Sequence, residues 1–219
     1  MGGRKLKKEV LRLLRQNDFK KSIVEISGFS ARQVVNPLFS FFYNSDELVK
    51  WHAVYAMGVV VSNLADYDME SARVVMRRLI WNLNDESGGI GWGSPEAMGE
   101  IMARHEGLAK EYHKVLLSYI MPEGNYIEHE ILQRGVLWGV GRLAHVRPHL
   151  VKDVVHLLCP YLESPDPALR GLASWTAGLY DYETTNRLLK RLENDQATLT
   201  FYFDGTLAEL KVAQLRYRN

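Results

Sequence analysis

At 219 residues, 47% apolar and 24% charged, the chain has the composition of a folded globular protein with a substantial core, not of a disordered or fibrous one. Its single cysteine, Cys159, excludes an intrachain disulfide and a cysteine-based metal cluster, and no apolar run reads as long enough to cross a bilayer, so a cytoplasmic location is expected. The net charge of +1 hides an asymmetry: residues 4–21 carry eight lysines and arginines against Glu9 and Asp18, which leaves the remainder near −5.

The basic stretch has helical spacing, with Leu6, Val10, Leu13 and Leu14 on one face. A solvated basic face is the ordinary reading, and docking on an acidic partner, a membrane surface or nucleic acid the functional one. Gln16-Asn17-Asp18 turns the chain, and a short helix over 19–26 stops near Gly28. Residues 30–43 align Val34, Leu38, Phe41 and Phe42 before Asn44-Ser45-Asp46 breaks the pattern, and 47–64 form the next helix. Residues 69–83 are again helical, apolar at Val74, Val75, Leu79, Ile80 and Leu83.

Residues 82–100, NLNDESGGIGWGSPEAMGE, are the most unusual stretch. Asn84-Asp85 favours a turn, the glycines tolerate positive φ, and Ser94-Pro95-Glu96 restarts a helix with Ser94 as its expected N-cap. A tight connector between packed helices explains the loop; a binding loop on a rigid scaffold explains it too, with Asp85 and Glu86 as its candidate polar contacts. It is neither a GxxxxGK[ST] phosphate loop nor a dinucleotide fingerprint, because no Lys-Ser or Lys-Thr pair follows and no strand precedes.

One segment recurs. WHAVYAMG (51–58), WGSPEAMG (92–99), RGVLWGVG (134–141) and GLASWTAG (171–178) align on Gly58, Gly99, Gly141 and Gly178, which lie 41, 42 and 37 residues apart. Small residues before each glycine let a helix lie close to its neighbours. Each copy follows another amphipathic helix and a break, at Asp46, Asp85, Glu123-Gly124 and Pro165-Asp166-Pro167. The patterns K50-x-x-A53-x-x-A56-x-G58 and R170-x-x-A173-x-x-T176-x-G178 resemble the HEAT-like repeats of the phycobiliprotein-lyase type, over about residues 30–190. The resemblance implies an all-α, short HEAT/armadillo-like right-handed α-solenoid of about four to five helical pairs, whose second helices line a concave surface used for binding other proteins; it does not imply lyase activity. The expected organisation is one domain over 1–219: basic N-terminal helices (1–29), repeats (30–193) and a C-terminal cap (194–219). In that cap, residues 198–203 and 206–212 read as a β-hairpin about an Asp204-Gly205 type I′ turn.

The fifth position of each aligned copy gives a ladder of Tyr55, Glu96, Trp138 and Trp175 on the second helices, and Trp92 and Arg134 lie beside it. Aromatic residues with an acid on a groove suit a binding site; packing between neighbouring repeats is the competing reading. The histidines are scattered, no HExxH occurs, and Pro148 separates His145 from His149, so neither a metal nor a cofactor is expected and no catalytic residue is assigned. Cys159, in VVHLLCPYL, reads as a buried, inert thiol in a helix. The expectation is a non-enzymatic scaffold or adaptor that binds a protein or peptide partner in its concave groove. The alternative is nucleic-acid binding of the kind seen in DNA glycosylases with a similar architecture; it needs a basic concave face, whereas the ladder holds one acid and three aromatics.

Overall fold

The computed structural model describes residues 2–84 and 91–218. Apolar faces and capping carboxylates set its helices. α1 (Gly3–Leu14) buries Leu6, Val10, Leu13 and Leu14 and leaves its lysines in solvent. α2 (Phe19–Ser27) begins where Asp18 accepts from the Lys21 amide at 3.1 Å. α3 (Ala31–Phe41) leads to α4 (Glu47–Tyr67), capped by Asp46, which accepts from the amides of Leu48 and Val49. Asp68 accepts from the Ser71 amide at the start of α5 (Met69–Asn84). α6 (Ser94–Arg104), α7 (Glu106–Ser118) and α8 (Glu130–Val146) follow, and α8 ends two residues before Pro148. Two 3-10 turns, Pro148–Leu150 and Lys152–Leu158, lead into α9 (Cys159–Leu162), then α10 (Pro167–Ala177) and α11 (Glu183–Arg191). β1 (Thr198–Phe203), β2 (Thr206–Lys211) and α12 (Val212–Leu215) complete the chain. The fold class is the expected one: all-α, built of successive packed helices with a small two-stranded sheet near its C-terminus.

The contacts divide the chain into two compact units, Met1–Tyr112 with Phe203–Thr206, and His113–Tyr202 with Leu207–Asn219. At the centre of the first lies α4, whose 21 residues include a window of mean hydropathy 1.2. By length and composition α4 could cross a bilayer, contrary to the expectation that no segment could. The reason for its apolarity is interior packing, since 72% of that window is buried. α4 runs parallel to α6: Lys50 meets Glu96, Gly58 lies against Glu100, and Asp66 meets His105.

In the second unit α8 runs parallel to α10, Arg134 meeting Asp166 near their starts and Gly141 lying on Trp175 farther along. A methyl on Gly141 would sit 2.4 Å from Trp175 Cε3, so this position is a helix crossing of the kind the recurring glycines suggest. Gly178 has another role. It caps α10, and its close neighbour is Arg216, beyond α12. The strands follow the hairpin pattern, with Asp204 and Gly205 both at positive φ (45° and 87°) as a type I′ turn demands.

Three local expectations need correction. Ser94 is the first residue of α6, and Gly93, at φ 75°, is its N-cap. Val74 faces solvent, because α5 buries Ala72, Val75, Met76 and Leu79, an arc one residue round from the one expected. Cys159 is half-buried at the junction of a 3-10 turn and α9, not within one continuous helix.

Candidate functional site

In the first unit the candidate site lies along α4 and α6. Gly93 brings the chain into α6 so closely that a Cβ would lie 2.7 Å from Phe42 Cγ, and it holds half-buried Trp92 with its ring 6.3 Å from Tyr43. Glu96 follows in the first turn, only 5% exposed. Burial pushes its carboxyl above the usual carboxylate range, against the opposing pull of Lys50, whose Nζ stands 4.0 Å from Oε1, and of the amides of Glu96 and Gly93. Trp92 Nε1, Ser94 Oγ and Glu96 Oε2 are all buried without a hydrogen-bond partner among the described residues, a concentration of polar groups that interiors ordinarily satisfy. Asp85 and Glu86 lie outside the described residues.

One turn along α6, Glu100 is 2% exposed and accepts from Arg104 Nε at 2.7 Å. The Arg104 guanidinium lies 4.3 Å from the centre of the Tyr55 ring, a cation–π contact that fixes Tyr55 at the surface of α4. Tyr55 meets Phe19 edge-on at 5.4 Å, and Phe19 stacks on His52 at 3.6 Å. The His52 nitrogens face the carbonyls of Leu14 (2.7 Å) and Gly205 (3.2 Å), which fastens the hairpin tip beside α2. A cavity of about 540 Å³ opens there, lined by Phe19, Ile23 and Tyr55 with the polar groups of Asp18, Lys20 and Asp204. Tyr55 borders the cavity, whereas Trp92 packs near Tyr43 and Glu96 is buried beside Lys50.

The remaining ladder positions fare differently. Trp138 (3% exposed) and Trp175 (0%) are core residues of the second unit, not groove-lining ones. The cause is the C-terminal segment. Trp138 Nε1 donates to the Tyr202 carbonyl at 3.1 Å, Trp175 Nε1 donates to the Arg218 carbonyl at 3.0 Å, and Phe201 packs edge-on against Trp175 at 4.9 Å. His145 stacks on Trp175, and burial holds its imidazole below the usual range while its Nε2 lies 3.2 Å from the same Arg218 carbonyl. The second helices here are covered by the chain's own main chain.

Arg134 is committed to architecture, bonding Asp166 at 2.8 Å and Glu130 at 2.6 Å. Arg170 does the same with Asp195 at 2.6 Å. With Lys50 and Glu96, these pairs join a cation at the start of one second helix to the acid that opens the next element, which explains the basic positions of the repeat. The cavity residues Phe19 and Ile23 are not marked as site residues by the sequence, because only the folded hairpin tip brings α2 to Tyr55.

Chemically, the site offers aromatic surface, buried carboxylates with their own cations, and a polar cavity. Among the described residues no three of His, Cys, Asp and Glu gather as metal ligands. The Cys159 thiol is pushed up by burial, which disfavours the thiolate a nucleophile requires.

No protein-family model matches the chain, so the phycobiliprotein-lyase type of HEAT repeat is not shown. A protein of Archaeoglobus fulgidus, itself described as uncharacterised, is 30% identical over 183 residues, covering 81% of this chain and 91% of that one. The chain belongs to the family of that archaeal protein. Among solved structures, an engineered protein aligns with a TM-score of 0.51 at 15% identity, over 90% of this chain and 91% of its own, which shows the fold alone. A designed armadillo repeat protein in complex with the peptide (KR)4 aligns at 0.49, with 15% identity over 86% of this chain and 92% of its own.

Proposed function

We propose that this family member is a non-enzymatic helical-repeat protein that binds a protein or peptide partner through the α4–α6 face, with Tyr55, Trp92 and Glu96 among its contacts. The observation that carries the reading is the treatment of the chain's own C-terminal segment. Indole N–H groups on the second helices α8 and α10 hold that segment by its main-chain carbonyls, which is the chemistry of extended-peptide recognition. In the first unit, the corresponding face keeps the 540 Å³ cavity beside Tyr55, together with buried polar groups that lack partners among the described residues. Aromatic anchors beside a few polar groups are what protein interfaces concentrate. Nucleic-acid binding on this face is disfavoured, since Glu96 and Glu100 consume the charge of Lys50 and Arg104.

The test is affinity capture from native lysate with the wild-type chain, Tyr55→Ala and Lys20→Glu. A partner recovered by the wild type and lost by both variants, at unchanged helical circular dichroism, supports the reading. Capture indifferent to both substitutions refutes the site. A salt-sensitive DNA mobility shift abolished by Lys20→Glu would replace it with the nucleic-acid reading.

A further inference from the structure

A second surface, independent of the α4–α6 face, lies on the first helices of the same unit. α5 places Val74, Arg77, Arg78 and Trp81 at positions i, i+3, i+4 and i+7, a single helical stripe, and all four are exposed, Val74 by 54% and Trp81 by 70%. An apolar residue and a tryptophan left in water on either side of two arginines is not what a solvated helix face needs. Between α3 and α5 the stripe borders a groove of about 270 Å³, where buried Val35, Leu64 and Val75 supply apolar surface and Arg32, Asn36 and Arg78 supply donors. Arg78 is held in place, its guanidinium 4.0 Å from the Phe39 ring centre and its Nη1 donating to Asn36 Oδ1 at 2.5 Å, and it makes no ion pair among the described residues. Arg32 and Asn36 also line a second cavity of about 470 Å³, shared with Lys7 of α1.

Charge sets the partner's sign. Of the lysines and arginines on these helices, α1 carries five, α3 one and α5 three, against Glu9 and Glu70 on the helices themselves, with Asp68 paired to Arg32 at 2.8 Å and Glu111 to Arg73 at 2.6 Å. Glu9 is bonded to Arg12 and Glu70 to Arg77, each within 2.7 Å. The chain as a whole is only +1, so the positive field is concentrated here and selects an anionic occupant. The apolar floor then separates two anionic classes. A nucleic-acid backbone is held by phosphate contacts and leaves such a floor unfilled, whereas an acidic protein segment with interspersed Leu, Ile or Phe fills it.

We propose that the α3–α5 groove docks an acidic, amphipathic segment of a partner protein. Its apolar side chains enter beside Val74, and its carboxylates meet Arg78 and, in exchange with Asp68, Arg32. Trp81 flanks the same stripe and supplies an aromatic anchor, a residue type that dominates interface energetics together with arginine.

A random-peptide display library selected on the full chain, after depletion on an Arg32→Glu/Arg78→Glu double variant, tests this directly. Recovered peptides are expected to combine Asp or Glu with Leu, Ile or Phe. In fluorescence anisotropy they should bind the double variant at least about tenfold more weakly, lose affinity as salt rises, and bind Tyr55→Ala as they bind the wild type. Val74→Glu, a change at an exposed position, should weaken them too, without loss of helical circular dichroism. The proposal is overturned if selection yields no peptides or non-acidic ones, if acidic peptides bind Val74→Glu unchanged, or if single-stranded DNA binds the wild type and is lost with the same arginines.

Discussion

Gly141→Ala is the sharpest test of how the second unit is packed. The added methyl would lie 2.4 Å and 2.5 Å from Cε3 and Cζ3 of Trp175 and 2.8 Å from Thr176 Oγ1, where carbon atoms ordinarily rest about 3.5–4.0 Å apart. The ring must therefore retreat by roughly 1 Å. It has little freedom to do so: Trp175 is fully buried, its N–H is bonded to the Arg218 carbonyl, and His145 and Phe201 pack on it. Overpacking of this kind costs about 1–3 kcal/mol, while alanine in place of glycine within a helix returns roughly 0.5–1 kcal/mol. The net expectation is a loss of about 1–2 kcal/mol, a fall in Tm of about 2–8 °C for a chain of this size, read by thermal circular dichroism with tryptophan fluorescence as a local probe. Gly58→Ala is the companion test, because its methyl would lie 2.4 Å from Cγ of Glu100, which is buried and held by Arg104, so a loss is expected there too. A Gly141→Ala protein as stable as the wild type, or more stable, would falsify the assignment of this crossing as a close-packed contact.

Gly205→Val forces a branched residue to φ 87° and should destabilise the hairpin by about 1–2 kcal/mol, seen as faster amide exchange across 198–211; unchanged protection would contradict the turn assignment. Trp138→Phe removes the donor to the Tyr202 carbonyl together with the buried five-membered ring, for an expected loss of at least about 1–3 kcal/mol in urea unfolding; no loss would mean that neither contributes to stability. Arg170 holds the Asp195 carboxyl below its ordinary range, so this pair stabilises fully above the unfolded value of about 3.9 and its contribution fades as pH falls through the lower folded value. Asp195→Asn should therefore reduce the dependence of stability on pH below about 4, and a curve as steep as the wild type's would rule out this pair as its source. Glu96 behaves oppositely: its raised folded pKa makes ionisation unfavourable to the fold, and Lys50→Met, which raises it further, should widen the loss of stability relative to the wild type as pH rises through the wild type's raised folded value. That widening difference should vanish in a Glu96→Gln background, and a pH-independent difference would show that the Lys50 charge is not what matters.

The features legible in the sequence are those decided by neighbours in the chain. The buried face of α1, the stop of α8 before Pro148, the caps at Asp46 and Asp166, and the positive φ values at Asp204-Gly205 all follow from local spacing or from a single residue's chemistry. Val74 was not legible, because the apolar residues of α5 span a wider arc than one buried face and only the packed neighbours decide which edge is left out. Ser94 had the chemistry of a cap, but the left-handed turn falls on Gly93, whose lack of a side chain admits Phe42. The fate of Trp138 and Trp175 was the least legible. The spacing of the recurring glycines places them correctly on the second helices, but covering them requires a segment 64 residues away for Trp138 and 43 for Trp175, and no local pattern encodes that pairing.

That distant pairing also directs where a partner can bind. To reach Trp138 and Trp175, a competing segment must displace Phe201 and Tyr202, both almost wholly buried, and break the bonds to the Tyr202 and Arg218 carbonyls. Re-exposing each large ring costs about 1.5–3 kcal/mol, and the covalently attached segment competes at an effective concentration on the order of millimolar. A partner of ordinary affinity gains little by opening this face. It gains more where the donors and apolar surface are already uncovered, at the Tyr55 cavity and along the Val74–Trp81 stripe of the first unit. Removing the hairpin would uncover the indoles and Gly171, which lies against Leu199 and Leu215, and leave apolar surface able to accept another chain or to aggregate. The C-terminal segment therefore acts as an internal ligand of the second-helix surface, covering Trp138 and Trp175.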